Sequence, residues 1–554
     1  MSKTVDPYWF KNAIMYAIDI DRFKDSNGDG IGDFAGLTSE IDYLADLGVT
    51  CLWLLPFFPS PERDNGYDIA DYYAVNERVG SFEDFVTFLH KAGERGMRVI
   101  VDLVVNHTSD QHPWFQAARR DAGSIYRAYY TWTDAPPPTP PGKGSIFPGQ
   151  ENSVWTYDPI AGAYYYHRFY HFQPDLNFRN ELVRDEIKRI LDFWLSFGIS
   201  GFRVDAASHM IESNPEDGYE GEDRHDILKE IHAHVAGRKP EAILIGEADV
   251  PTEKLVAYMG DGDELTMLFN FVLNNYFYLA MARKDARPLI EILRQLPAIP
   301  DSCTWANFLR NLDEVDLERL TDKDRKEIYA QFAPEQNMRI YDRGLRRRLA
   351  PILGGDRKRL EFSYSLLFAL PGTPVIVYGD EIGMGEDLER EGRWAVRSPM
   401  QWSAEKNAGF SDAPRSELVQ RVIDFGPFSY KNVNVADERK DPDSLWAHIR
   451  RMIRVRRQCQ EIGVGNSHIM DIDTPYVLAL RYAYKDGLVI SLHNFTPEPQ
   501  RIVLDMRDQL GRRMEGLLRE GILSIQEQGQ LEVEMEPYGY QWYRVTGERE
   551  QGEV

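Results

Sequence analysis

Gly201-Phe-Arg-Val-Asp205 decides the fold class. It is a short aromatic and β-branched run, entered through glycine and left through an acid, which suits a buried strand better than a helix. Similar runs predict strands at Ala13 to Ile20, Cys51 to Pro56, Val99 to Val105, Ala242 to Glu247, Leu265 to Phe271, Thr304 to Arg310 and Val375 to Tyr378, making eight in all. Amphipathic stretches such as Phe82 to Arg95 and Leu182 to Leu195 lie between them. This alternation predicts an α/β fold, a (β/α)8 TIM barrel whose active site lies at the C-terminal ends of the strands.

One connection is too long for a plain βα link. Residues 107–177 are rich in Tyr, Trp, Pro and Gly and predict an inserted subdomain after strand 3. Within it, Asp134-Ala-Pro-Pro-Pro-Thr-Pro-Pro-Gly-Lys-Gly144 suits neither helix nor central strand and predicts an extended surface excursion. After a helix-like segment from Asp443 to Cys459, short alternating runs such as Tyr476 to Tyr482 and Gly487 to Asn494 predict a C-terminal all-β sandwich domain. The expected division is barrel 1–106, insertion 107–177, barrel 178–463 and β domain 464–554.

Composition narrows the partners. Among 554 residues, 43% are hydrophobic and 27% charged, enough apolar surface for a large core. The net charge of -24 argues against nucleic acid and against an anionic membrane surface, both of which need a concentrated positive face. A neutral or cationic small molecule is the easier partner, and a homo-oligomer is left open. The three cysteines, Cys51, Cys303 and Cys459, lack CxxC spacing and predict no disulfide framework. Met-Ser-Lys-Thr-Val-Asp-Pro7 lacks a signal-type apolar run, and no stretch reaches the ~20 apolar residues that span a bilayer. The expected location is the cytoplasm.

Near the first strand, Asp25-Ser-Asn27-Gly-Asp29-Gly-Ile31-Gly-Asp33 sets oxygen-bearing side chains at alternate positions around glycines. Such a loop can wrap a hard cation, Ca²⁺ with Mg²⁺ as the other candidate, in a structural role. It is not an EF-hand, because the twelfth position is Gly36. The competing reading is an Asx-rich turn.

Acids end three of the predicted barrel units. Cleaving a glycoside with retention needs one carboxylate to attack the anomeric carbon and another to protonate the leaving oxygen, ~5 Å apart. Strand alternation puts Arg203 and Asp205 on one side, where the cation can hold the acid ionised and aimed. The run Leu244-Ile-Gly-Glu247 delivers a carboxyl group to the barrel mouth, where desolvation suits it to general-acid work. Asn311-Leu-Asp313 offers a third acid for substrate hydroxyls.

Five ordered motifs, Asp102-Leu-Val-Val-Asn106-His107, Gln173-Pro-Asp-Leu-Asn177, Gly201-Phe-Arg-Val-Asp205, Gly246-Glu247 and Asn311-Leu-Asp313, resemble those of the α-amylase family of glycoside hydrolases, family 13. The resemblance covers almost the whole chain. It implies Asp205 as nucleophile, Glu247 as acid/base and Asp313 as transition-state stabiliser, with Arg203 and His107 framing the sugar. Further stretches, Asp64-Asn-Gly-Tyr67-Asp-Ile-Ala-Asp-Tyr72, Leu345-Arg-Arg-Arg-Leu-Ala-Pro351, Pro371 to Gly385 and Arg397-Ser-Pro-Met-Gln-Trp402, resemble the branch that interconverts maltose and trehalose by glucosyl transfer. There, Asp64 and Arg397 would close the blind end of the pocket and Tyr67 would lie beneath the glucose ring, with Gln173 a further substrate contact. The resemblance also implies a second cation site with Asn106, Asp175 and Glu212 as side-chain ligands and the carbonyls of His209 and Met210. Two departures bear on the substrate: Leu312 stands where the family has a histidine that bonds a sugar hydroxyl, and Asp21 where an arginine is common. The expected substrate is a small α-glucoside such as maltose or trehalose. The alternatives are an α-glucosidase that admits water and a non-catalytic sugar-binding protein.

Overall fold

Each predicted run becomes a barrel strand, most of them trimmed at the ends, in the computed structural model, which describes residues 6–147, 149–213, 222–525 and 528–547. Residues 1–5 of the amino-terminal stretch and 548–554 of the C-terminal β region lie outside the described residues. The strands are Met15–Ile18 (β1), Cys51–Leu54 (β2), Arg98–Leu103 (β3), Gly201–Val204 (β4), Ile243–Gly246 (β5), Met267–Phe269 (β6), Thr304–Phe308 (β7) and Thr373–Val377 (β8). They close in the order β1-β8-β7-β6-β5-β4-β3-β2, every pair parallel. Met15 sits opposite Cys51 on one side and Val375 on the other, so the seam joins the start of the chain to residues beyond 370. Nearly every strand residue is buried, as in a parallel sheet with side chains filling its inside and helices covering its outside.

Local rules place the helices around this barrel. The helix Phe82–Glu94 starts from a capping box in which Ser81 accepts from the Asp84 amide and Asp84 accepts from the Ser81 amide. Asn180 caps the helix Glu181–Ser196, whose Ile187, Leu191 and Trp194 face inward. Gly201 opens β4 at φ +145, and a Cβ there would lie 2.2 Å from the Ile243 carbonyl oxygen, so only glycine lets β4 and β5 pair at this point.

After β3 the chain leaves the barrel and builds a three-stranded antiparallel sheet from Trp132–Thr133, Trp155–Asp158 and Ala163–Tyr166. The proline-rich stretch 134–144 lies outside any helix or strand. The excursion returns through a bridge between His107 and Asp175, and the Leu176 amide donates to the Asn106 carbonyl at 2.8 Å.

Beyond the helix Leu445–Gln458, strands from Asn466 to Thr546 form antiparallel sheets of six and two strands. They dock on the helix Arg357–Ala369, where Trp542 Nε1 donates to Ser365 Oγ at 3.0 Å and His493 Nε2 lies 3.0 Å from the same hydroxyl. Tyr482 and Trp542 belong to the same buried core as the barrel.

Candidate active site

Asp205 and Glu247 leave β4 and β5 side by side, one residue beyond each strand. Their amides continue the ladder, Asp205 donating to Leu103 and Glu247 to Val204, each at 3.1 Å. Directly after Asp205 the chain turns through Ala206 at φ +48, a left-handed conformation that residues with a Cβ seldom adopt and that collects at functional sites.

Arg203 ties the acids together. Its Nη1 donates to Asp205 Oδ1 at 2.6 Å and to Asp102 Oδ1 at 2.9 Å, and its Nη2 donates to Glu247. Burial pushes the Glu247 carboxyl above its ordinary range; the Arg203 charge opposes this and the Asp205 carboxylate reinforces it. One carboxylate beside a guanidinium and a neighbour biased toward its protonated form are the two partners that retaining glycoside chemistry requires.

Asp313 follows β7 and faces them. Arg397 Nε donates to its Oδ1 at 2.6 Å, and Arg393 Nη1 lies 3.7 Å from Oδ2. Burial alone would raise the Asp313 carboxyl, but the charges of Arg397 and Arg393 outweigh it and hold the group down to about 2. Asp64 behaves oppositely, burial lifting it to about 6 against the pull of Arg393 and Arg397. Gln173 Nε2 donates to Asp64 Oδ2 at 2.9 Å, and Tyr67 donates to Asp102 Oδ2 at 3.1 Å. His107 Nε2 lies 3.0 Å from the Tyr67 carbonyl, so that nitrogen carries the proton, and burial lowers the ring to about 4 and keeps it neutral.

These side chains share a cavity of about 640 Å³, lined by Asp64, Tyr67, His107, Arg203, Asp205, Glu247, Leu312 and Asp313. Gln173 and Arg397 stand behind that wall and reach it through Asp64 and Asp313. Leu312 is among the lining residues, and Asp21 lies off the cavity, paired with Arg78 at 3.3 Å. Sequence reasoning missed Arg393, Phe147, Phe169, Arg319 and Arg343, which also line the cavity. Arg393 grips Glu314 through two contacts of 2.8 Å and lies over the Phe147 ring at 5.1 Å. Its one signal was its place four residues before Arg397.

The residues named for cations fall in two places. Asn106, Asp175, His209, Met210 and Glu212 line one small cavity of about 30 Å³. Glu212 is already paired with Lys143 at 2.7 Å and Arg168 at 2.9 Å. In the glycine-rich loop, Asp25 accepts from the amides of Asn27, Gly28 and Gly30, Asp29 from Ile31, and Asp33 from Ser26 and Gly36. Among the described residues, Asp249, Asp316 and Glu318 are near enough to one another to share an ion, but Arg319 and Arg343 already pair with Asp249 at 2.6 Å and Asp316 at 2.9 Å.

Comparison with known proteins places this geometry. The family model described as "Alpha amylase, catalytic domain" matches residues 18–465. A trehalose synthase of Pimelobacter is 40% identical over 98% of this chain and 96% of its own length. A glucan 1,6-alpha-glucosidase of Streptococcus pneumoniae is 32% identical over 90% of this chain and 93% of its own. Among solved structures, an inactive double mutant of MutB in complex with isomaltulose superposes with a TM-score of 0.76 at 27% identity, covering 97% of this chain and 99% of that one. With the family model spanning barrel and insertion, and relatives aligned nearly end to end, the chain belongs to the α-amylase family.

Proposed function

We propose that this enzyme interconverts maltose and trehalose by intramolecular glucosyl transfer through a covalent glucosyl-Asp205 intermediate. The observation that carries this reading is the Arg203 guanidinium bonded at once to Asp205 and Glu247 at the floor of a cavity large enough for a disaccharide. Asp205 attacks the anomeric carbon while Glu247 gives its proton to the glycosidic oxygen, releasing glucose and leaving the glucosyl group on Asp205. Glu247, now a carboxylate, takes the proton of the anomeric hydroxyl of the turned glucose as that oxygen attacks the intermediate. Asp313 stays ionised opposite the developing positive charge, and Asp64, Tyr67 and His107 line the place of the glucosyl unit, with Gln173 holding Asp64 and Arg397 holding Asp313 from behind. The 40% identity to a trehalose synthase supports transfer.

Hydrolysis is the second reading, favoured by the likeness to a glucan 1,6-alpha-glucosidase and by Leu312, which offers no donor to the sugar. Incubating the pure enzyme with maltose and separating the products decides between them. Trehalose as the main product supports transfer, whereas two glucose per maltose with no trehalose overturns it.

Two structural cations, Ca²⁺ or Mg²⁺, belong to the same reading. Asp25, Asn27, Asp29 and Asp33 with the Ile31 carbonyl make an all-oxygen set for a hard ion. The small cavity at the foot of the insertion has Asn106 and Asp175 as side-chain donors beside the carbonyls of His209 and Met210, and its volume suits one ion. The second would brace the segment at His209, which lines both this cavity and the active-site cavity. The three cysteines are free and buried, in keeping with a reducing, cytoplasmic setting, and no helix among the described residues is long and apolar enough to cross a membrane.

A further inference from the structure

The loop that carries Asp313 starts at Arg310, just past β7, and Arg310 is only 2% exposed. Its Nη1 donates to the carbonyl oxygens of Asn311 at 2.8 Å and Leu312 at 3.2 Å and lies 3.5 Å from that of Asp313. Three successive carbonyls therefore turn toward one nitrogen. Asn311 Oδ1 accepts from the Leu312 amide at 2.8 Å and fixes the other side of the same turn. The Asp313 side chain is left pointing away from Arg310, into the cavity and against Arg397.

The guanidinium is itself anchored. Its Nε donates to Asp380 Oδ2 at 2.9 Å, in the loop after β8, and Arg348 holds the other oxygen of Asp380 from Nε at 3.1 Å and Nη2 at 2.9 Å. Arg310, Arg348 and Asp380 are all buried and none lines the cavity. A buried ion cluster is poor evidence for stability, since well-packed apolar residues often do as well or better. A planar fork with donors in fixed directions, however, can hold a carboxylate and a curved run of carbonyls at once, which a lysine ammonium at the end of a flexible chain cannot.

We propose that Arg310 is a positioning residue for the third carboxylate: braced on Asp380, it shapes the turn 311–313 so that Asp313 faces the reacting sugar. This rests on the role given to Asp313 above. Burial works against ionisation of the Asp313 carboxyl, and the Arg310 charge joins those of Arg397 and Arg393 in holding it down.

The test is a double-mutant cycle on kcat and KM with maltose and with a p-nitrophenyl α-glucoside, using Arg310→Lys, Asp313→Asn and the pair together. Misplacing a catalytic group by about 1 Å costs on the order of 10²-fold, so Arg310→Lys is expected to lose about that much kcat with KM changed less than ~3-fold. Because Arg310 acts through Asp313, the double variant is expected to be no slower than Asp313→Asn alone. Losses that multiply, or an Arg310→Lys enzyme with the parent kcat, overturn the proposal. Full activity in Asp313→Asn overturns the reading of the site instead. Should Arg310→Lys not fold, as judged by circular dichroism, Asp380→Asn loosens the anchor with little change of shape, and the same cycle with Asp313→Asn is decided by the same outcomes.

Discussion

Arg397 Nε lies 2.6 Å from Asp313 Oδ1, so the third carboxylate is aimed by an arginine from a different loop. Replacing Arg397 by alanine frees Asp313 to rotate and removes the charge that holds it ionised. The expected loss in kcat/KM on maltose is on the order of 10²–10³-fold, as for other preorganised donors. Arg397→Lys is expected to restore little, because an ammonium does not reproduce the fork. Parent-like kcat/KM in either variant rules out this role.

Glu247 must be protonated when the glycosidic bond breaks. Burial raises its carboxyl, so the protonated form persists to higher pH than for an ordinary glutamate, and kcat/KM is expected to fall as pH rises through that raised value. Glu247→Gln is expected to lose about 10²–10⁴-fold on maltose but far less on a p-nitrophenyl α-glucoside, whose leaving group needs no proton. Its basic limb should vanish as well. Asp205→Ala is expected to abolish turnover on both substrates with the melting temperature unchanged. Equal losses for Glu247→Gln on both substrates, or a basic limb that survives, count against the acid role.

Leu312 lines the cavity and its side chain carries no hydrogen-bond donor. If the pocket takes an ordinary glucose, Leu312→His is expected to raise kcat/KM on maltose by the worth of one added hydrogen bond, roughly three- to tenfold. Measuring maltose, trehalose and sucrose for both variants settles it. No gain on any of the three defeats the ordinary-glucose reading and turns the search to substituted glycosides, beside which a histidine would stand unpaired.

On the cation sites proposed above, chelation is expected to lower the melting temperature and to leave initial rates below that temperature nearly intact, because neither the loop from Asp25 to Asp33 nor the cavity beside Asp175 holds a reacting group. A cation present at a hundred times its Kd contributes about 2.7 kcal/mol to stability. A melting curve indifferent to chelator and to added Ca²⁺ would falsify both cation sites.

All eight barrel strands were legible in the sequence, because a strand covered on both faces reads as an uninterrupted apolar run. Their ends were less so: Asp205 and Glu247 continue the ladder's hydrogen bonds yet stand beyond the strand proper. Asp205 and Glu247 could be named because each sits directly after such a run, and Asp313 because it follows the run ending at Phe308 within one short loop. Arg393 and the cluster of Arg310, Arg348 and Asp380 could not be placed. They come from loops far apart in the chain, and no periodicity links a residue after β7 to one after β8. Phe147 was hidden for the same reason, since only the folded insertion brings its ring under Arg393.

The seam between β1 and β8 also has a direction in time. Met15 leaves the ribosome early, but its partner Val375 is added only after most of the chain has been made. At ~5–20 residues per second the wait is on the order of tens of seconds. Throughout it, β1 presents an unpaired edge of the kind that invites pairing with other chains. Newly made protein is therefore most exposed to aggregation just before synthesis reaches β8, and slow translation or a truncated message should harm this enzyme more through insolubility than through any defect in its acids.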